Sequence, residues 1–388
     1  MKAVGACHEL TVLTSCAVDA TTWAMHYAPG SSIEGGVQVR RFAHGLRNEG
    51  GRARVPLAHK WRWWLRAGFD LAGRTRVALP SDSDELDGHL FLRRQGPACD
   101  GLVDELRRSD HDVVVFFTAL YFTTAEGLPA CRAPALLIPT LHDEKPMVLP
   151  WFHRVFAAAR QTLYNTAAER RLARRLYGTH AADGEVVGAG VAVRRPTPAQ
   201  IGAARTRHAL PERYLVYVGR IEKGKGCADL LAAWHAIAAH SGDAALVFVG
   251  KGSLPIEASA RVRPVGFVTE AERDALVAGA AALVMPSRFE SLSLVTLEAF
   301  ALGVPVLANG AVEVLAEQLR DSGAGEAYRG ARGLRRGLLR ALARSAAERR
   351  ALGEAGRRYV DTRYRWDIVV GRWLDAVERA SRADAGAR

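Results

Sequence analysis

The stretch Met285-Pro-Ser-Arg-Phe-Glu290-Ser-Leu-Ser-Leu-Val-Thr-Leu-Glu298-Ala-Phe-Ala-Leu-Gly303-Val-Pro305 decides the fold. An apolar run, Ala281 to Met285, leads into a polar turn, and an amphipathic run follows that ends at Gly303. That is a strand, a turn and a helix. Two glutamates stand eight residues apart, Glu290 at the turn and Glu298 in the helical run. A helix entered at Ser291-Leu292-Ser293 carries both carboxylates near one face, because eight residues is a little over two turns. Its first N–H groups lack intrahelical partners and point at whatever lies in front of them, which makes an anion site. Carboxylates accept hydrogen bonds from hydroxyls and N–H groups hold a diphosphate, so the pattern suits a sugar nucleotide. A polar strand–turn–helix of any α/β protein is the plainer alternative.

Working backward from this stretch, Tyr214-Leu-Val-Tyr-Val-Gly219 is a strand that runs into Arg220-Ile-Glu-Lys-Gly-Lys225-Gly226. A guanidinium and an ammonium past a strand end, beside glycines that let backbone approach, can neutralise a diphosphate. Surface cations on a plain turn are the alternative. The spacing is not that of a P-loop, since no Lys-Ser/Thr pair follows the glycines. Ala245 to Gly250 is the next strand, with Lys251-Gly252 after it, and Val262 to Val268 a short one. Glu270 to Gly279 reads as a helix and Gly303 to Ala308 as a strand.

These segments resemble, in order and separation, the signatures of retaining glycosyltransferases of the GT-B fold, the family-4 type (glycosyl transferases group 1). Glu290 to Glu298 is similar to their E-x7-E element and Gly219 to Gly226 to their GR-x4-KG segment. The resemblance implies an α/β chain of two Rossmann-like domains facing across a cleft. It implies that Arg220 and Lys225 stabilise the leaving phosphate and that Glu290 sits by the donor sugar. Glu298 would accept both ribose hydroxyls. Gly219, Gly250 and the backbone of Ser291, Leu292, Ser293 and Leu294 would lie near the diphosphate, and Phe267 and Val268 would flank the base. It further implies retention of configuration, with no metal and no cofactor beyond the nucleotide-diphospho-sugar donor. No Asp-x-Asp pair follows a strand; Asp82 and Asp84 belong to an acidic stretch, Ser81 to Asp87, read as an exposed turn.

The N-terminal half is less regular. His8 to Thr14 and Gly36 to Phe42 read as buried parallel strands with a loop, Cys16 to Gly30, between them. The family's opening strand and glycine-rich loop have no counterpart here, which is read as a start codon lying upstream rather than as loss of part of the sheet, since a sheet without that strand would bare apolar neighbours and unpaired edges. Asp112 to Thr118 and Ala135 to Thr140 are further strands. His142-Asp143-Glu144 follows the second, and by resemblance His142 approaches donor sugar and acceptor, with Asp143 or Glu144 to orient it. Helix capping is the alternative for this triplet. Leu163 to Glu169 resembles the last N-domain strand and helix start, where Thr166 and Glu169 match a capping box, a structural role. Val186 to Val191 resembles the interdomain glycine turn, with Ala192 where relatives carry Asp. Domains are expected at 1–205 (acceptor) and 206–362 (donor), with 363–380 a helix crossing back.

Composition narrows the alternatives. The chain has 388 residues, 49% hydrophobic and 24% charged, as in an ordinary two-domain globular protein. Its net charge is +12, and six of those charges fall in residues 1–205. So even a spread argues against a dedicated nucleic-acid face and for anionic substrates or surfaces. Five scattered cysteines without CxxC spacing argue against a disulfide framework and fit a reducing cytoplasm. Residues 47–76 carry eight Lys/Arg and the run Lys60-Trp-Arg-Trp-Trp-Leu-Arg66, either a segment touching anionic lipid at the inner membrane face or a helix packed by its tryptophans. The expected acceptor is therefore a lipid-linked or polysaccharide glycan. The rival readings are a non-catalytic nucleotide-sugar-binding subunit and a GT-B epimerase, the latter disfavoured by the two motifs.

Overall fold

The computed structural model describes residues 8–19, 22–45, 82–181 and 184–385. The basic, tryptophan-rich segment around Trp61–Trp64 lies outside them. The chain forms two compact units, one of residues 1–188 and 370–388, the other of residues 189–369.

In the N-terminal unit, β1 (Thr11–Ser15) pairs in parallel with β3 (Val37–Phe42). Strand β2 (Gly30–Glu34), in sequence the end of the Cys16–Gly30 loop and beyond, returns antiparallel to β3 through a turn at Gly35 and Gly36, both at positive φ. A second sheet is all parallel: β4 (Val114–Phe117), β5 (Ala135–Ile138), β6 (Gln161–Tyr164) and β7 (Gly184–Val186), in that spatial order. Leu13 and Phe42 of the first sheet and Val114 of the second pack against one core that includes Leu102, Leu106, Phe122 and Phe152. Among the described residues no strand joins β1 to β4. β1 is half-buried along its length where a buried strand was expected, Val115 is half-buried, and Phe117 is 52% exposed.

The acidic stretch is not a turn. Asp82 begins a helix, Asp82–Gln95. Ser and Asp favour helix starts as well as turns, and here the helix prevails.

The far face of β5 and β6 is covered by the last helix, Trp366–Ala385. Ala376 and Ala380 pack with Leu136, Ile138, Leu163 and Val187. The Trp373 ring lies 5.5 Å from that of Phe117, and its indole N–H donates to the Gly188 carbonyl at 3.2 Å.

The C-terminal unit is one parallel sheet of six strands: β8 (Tyr214–Val218), β9 (Ala245–Val249), β10 (Val262–Gly266), β11 (Ala282–Met285), β12 (Val306–Asn309) and β13 (Gly325–Tyr328). The spatial order is β10-β9-β8-β11-β12-β13. β8, β9 and β11 are buried along their whole length, since helices cover both faces, and their sequences are accordingly near-continuous Val, Leu, Ala, Phe, Met and Tyr. The order reverses between β8 and β11, so the carboxyl ends of those two strands open a crevice of the kind that binds ligands in doubly wound sheets.

Close packing behind the crevice relies on glycine. The helix Leu294–Leu302 ends at Gly303 in the left-handed region (φ 78°), and the helix Ala346–Arg363 lies across it. A Cβ on Gly353 would stand 2.1 Å from the Gly303 carbonyl oxygen, backbone that cannot swing aside. Gly353→Ala is therefore expected to lower stability by about 1–3 kcal/mol, seen as a lower midpoint in urea, although Ala is the better helix former.

Candidate functional site

Three loops meet at the switch point because their backbones come into contact. Past β8, Gly219 has φ 143°, and past β9, Gly250 has φ 134°. A Cβ on Gly250 would lie 2.1 Å from the Gly219 oxygen, and one on Gly252 would lie 2.2 Å from the Ile221 oxygen. The Gly219 N–H donates to Val249 O and the Ile221 N–H to Lys251 O, each at 3.0 Å. Gly226 (φ 73°) brings the first loop onto the one after β11, where its Cβ would meet Pro286 O at 2.2 Å.

That last approach delivers Lys225 to Glu290. Lys225 Nζ donates to Glu290 Oε1 at 2.9 Å, with side chains 29% and 12% exposed. The Glu290 loop is itself anchored. Asn309 Nδ2 donates to Ser287 O at 3.2 Å, and Arg288 pairs with Asp229 at 2.6 Å. Arg220 does not share Lys225's position. Its guanidinium is 69% exposed and 3.5 Å from Glu222, while its carbonyl accepts from the Tyr217 hydroxyl at 2.7 Å. Lys251 is exposed.

The helix begins at Leu294, with Ser293 as its N-cap, not at Ser291. The expectation that Glu290 and Glu298 share a helical face fails for this reason: Glu290 lies in the loop before the helix, and the eight-residue spacing is not two helical turns. The Ser293 side chain makes no cap bond; its hydroxyl and that of Thr296 are 2.9 Å apart. Ser291 and Ser293 are buried, Leu292 half-buried and Leu294 exposed. The helix is buried nearly all round, with Thr296, Leu297 and Ala299 to Leu302 all inside, so the expected amphipathic stripe is absent.

Glu298 is the polar exception on that buried helix. Arg273 reaches it at 3.4 Å while also pairing with buried Asp274 at 2.9 Å. Burial raises the Glu298 carboxyl above its ordinary value, Arg273 pulls it down, and Asp274 and Glu270 push it up again. Arg273 was not legible in sequence, because Glu270 to Gly279 reads simply as a helix. Phe267, just past β10, is 81% exposed, whereas Val268 packs against the core.

His142 belongs to the N-terminal unit, four residues past β5. Its Nδ1 is 3.6 Å from Glu144 Oε1, so Glu144 is its carboxylate neighbour; Asp143 turns away to Arg175 at 3.2 Å. Among the described residues no group of three or more His, Cys, Asp or Glu could hold a metal ion.

The family model for glycosyl transferases group 1 matches residues 212–343, a span that contains every loop of this crevice. No curated protein matches the sequence. The structure is similar to sucrose-phosphate synthase from Thermosynechococcus elongatus, with a TM-score of 0.67 at 18% identity over 98% of this chain and 91% of that one. It is similar to α,α-trehalose 6-phosphate synthase from Burkholderia multivorans, at 0.66 and 14% over 98% of each chain. It is also similar to Anabaena HepE, solved in complex with UDP, at 0.59 and 14% over 72% of this chain and 82% of that one. The fold is GT-B, with two Rossmann-like domains.

Because the attraction of Arg273 opposes the effect of burial, Arg273→Gln is expected to raise the Glu298 carboxyl further. Carbon-detected NMR titration of the glutamates reads this directly; a Glu298 midpoint that falls or stays put contradicts the pairing.

Proposed function

We propose that the chain is a glycosyltransferase of the retaining, family-4 type, moving a sugar from a nucleotide-diphospho-sugar to a hydroxyl acceptor without a metal ion. The observation that carries the reading is the Lys225–Glu290 pair at the switch point, inside the segment that matches glycosyl transferases group 1. A part-exposed pair of this kind is worth about 1 kcal/mol or less. A diphosphate, with two negative charges, can compete for Lys225 and leave Glu290 to accept hydrogen bonds from sugar hydroxyls. Arg220, exposed and 3.5 Å from Glu222, can swing onto the same phosphates.

In the proposed step the acceptor hydroxyl attacks the anomeric carbon on the face from which the nucleotide leaves. The glycosidic C–O bond breaks, the leaving phosphate takes the hydroxyl proton, and charge on that phosphate is met by Lys225 and Arg220. Two cations then do the work a metal does elsewhere. Glu298 takes the ribose hydroxyls, the backbone of Ser291 to Leu294 lies by the diphosphate, and Phe267 and Val268 flank the base. The N-terminal unit takes the acceptor, with His142 hydrogen-bonding to the reacting sugars. A glycan or lipid-linked acceptor, met in the cytoplasm or at the inner membrane face, fits the cationic surface; no helix among the described residues is long and apolar enough to cross a membrane. HepE was solved with UDP, so uridine donors head the panel to be tried.

A second reading is a nucleotide-sugar-binding protein without turnover. Donor hydrolysis distinguishes the two. The purified protein is expected to release nucleotide slowly from one of a panel of UDP-, GDP- and ADP-sugars. Lys225→Ala should lower kcat/KM for that donor by about 10²–10³-fold, and Glu290→Ala should abolish release. Tight binding of a donor with no release by the folded protein selects the second reading.

Donor affinity should also depend on pH through Glu298. Ribose hydroxyls donate to the ionised carboxylate, and burial sets its pKa above the usual carboxylate value. Affinity for the intact nucleotide-sugar is thus complete above that raised pKa and falls as pH drops through it. Calorimetry with Glu298→Gln should show weaker binding with that acid limb gone; an identical limb in the variant contradicts the assignment.

A further inference from the structure

Among the described residues, the most deeply buried carboxylate of the N-terminal unit is one that the sequence pattern assigns only to helix capping. Glu169 is the third residue of the helix Ala167–Tyr177, and Thr166 caps that helix by accepting from the Glu169 N–H at 3.0 Å. The Glu169 side chain does more than complete its cap. Its Oε2 accepts the Asn165 N–H at 2.5 Å, and its Oε1 accepts the Leu141 N–H, also at 2.5 Å. The residue is 1% exposed. One carboxylate thus ties together the loops that follow β5 and β6, and its attachment to the first is the peptide N–H immediately before His142.

The residue on the other side of Leu141 is also constrained. Thr140 has φ 47°, in the left-handed region that a β-branched residue avoids. Thr118, at the end of neighbouring β4, has φ 66°. The two hydroxyls are hydrogen-bonded to each other at 3.0 Å, Thr140 donating to Thr118. The ladder between the strands runs on to this point, with the Thr118 N–H on Ile138 O at 2.8 Å and the Ala119 N–H on Pro139 O at 2.9 Å. The Leu141 side chain is buried. Paired left-handed threonines persist only where their surroundings impose the conformation, and such strain gathers at working sites. Thr140 and Leu141 are fixed on three sides, and His142, next in the chain, has a side chain 32% exposed.

We propose that Glu169 is a positioning residue for His142, holding the Thr140–His142 segment by its carboxylate while the Thr118–Thr140 hydroxyl pair holds it from β4. Only a carboxylate supplies two acceptor oxygens in a fork that meets two converging N–H donors. An amide of the same shape turns an NH2 toward one of them. Burial pushes the carboxyl up to about 8, against the N–H bonds of Asn165 and Leu141 that favour its charged form, so the two-acceptor fork is complete above that pH and the comparison below is made there. The importance given to His142 rests on the transferase reading above; the clamp itself does not.

The test uses Glu169→Gln, His142→Ala, their double variant and Thr140→Gly. Without any donor, NMR of the whole chain is expected to show the Leu141 and Asn165 amide protons far downfield and slow to exchange. In Glu169→Gln at least one of them should lose both properties, and the His142 ring resonances should move or broaden. With a donor, Glu169→Gln should lower kcat about 10–100-fold while the donor KM stays within about twofold, because the proposed donor residues lie in the other unit. The double variant should lose no more than His142→Ala alone. A general loss of structure would instead multiply the two defects and move KM as well. Thr140→Gly removes the hydroxyl bond while relieving the backbone, so it should fold at least as well and still disturb the His142 resonances, which decides the matter if Glu169→Gln does not fold. His142 resonances unchanged in the folded variants, or losses that multiply, overturn the proposal. A wild-type protein that turns over no donor defeats the transferase reading, and the donor-free NMR comparison then decides the clamp by itself.

Discussion

The approach of bare backbone to bare backbone at Gly250 and Gly226 is the constraint on which the rest of the crevice depends. Carbonyl oxygens of Gly219 and Pro286 occupy the space a side chain would need at those two positions. With the loops so close, a lysine after β8 and a glutamate after β11 meet, 65 residues apart in sequence. Had either loop stood off by the width of a methyl group, the ammonium and carboxylate would be separated by water. The parallel sheet beneath makes this closeness possible, because β8, β9 and β11 are buried on both faces and give no freedom of register.

Much of this was legible. The apolar runs of the C-terminal unit announced β8, β9, β11 and β12 because strands buried on both faces are continuous in Val, Leu and Ala. The glycines flagged the loops, since positive φ and close approach leave few other residues possible. The N-terminal strands were harder: β2 is exposed along its whole length and offers no apolar signal. The acidic stretch from Asp82 misled because Ser and Asp favour turns and helix starts alike.

Partnership was the least legible feature. Glu290 and Glu298 looked like companions through their spacing, yet each has its own cation from a different element, Lys225 and Arg273. Spacing in sequence sets proximity only inside a continuous helix, and the helix starts four residues too late for that. Asp143 and Glu144 were both candidates to orient His142; Asp143 pairs with Arg175, and Glu144 is the one beside the imidazole. Glu169 shows the same limit from the other side. Its local motif was right as far as the Thr166 cap goes, but the group it holds across the sheet is 28 residues away in the chain.

The last helix has a consequence for how the molecule is made. Its residues from Trp373 to Ala380 cover the apolar face formed by Leu136, Ile138, Leu163 and Val187. During synthesis that face emerges early and its cover comes at the end, after the whole C-terminal unit. The nascent N-terminal unit therefore waits, with that face bare, while the C-terminal unit is made. The C-terminal sheet carries its own cover and can close first. The N-terminal unit is thus completed only after the C-terminal unit has been made, although its other core needs nothing from the last helix.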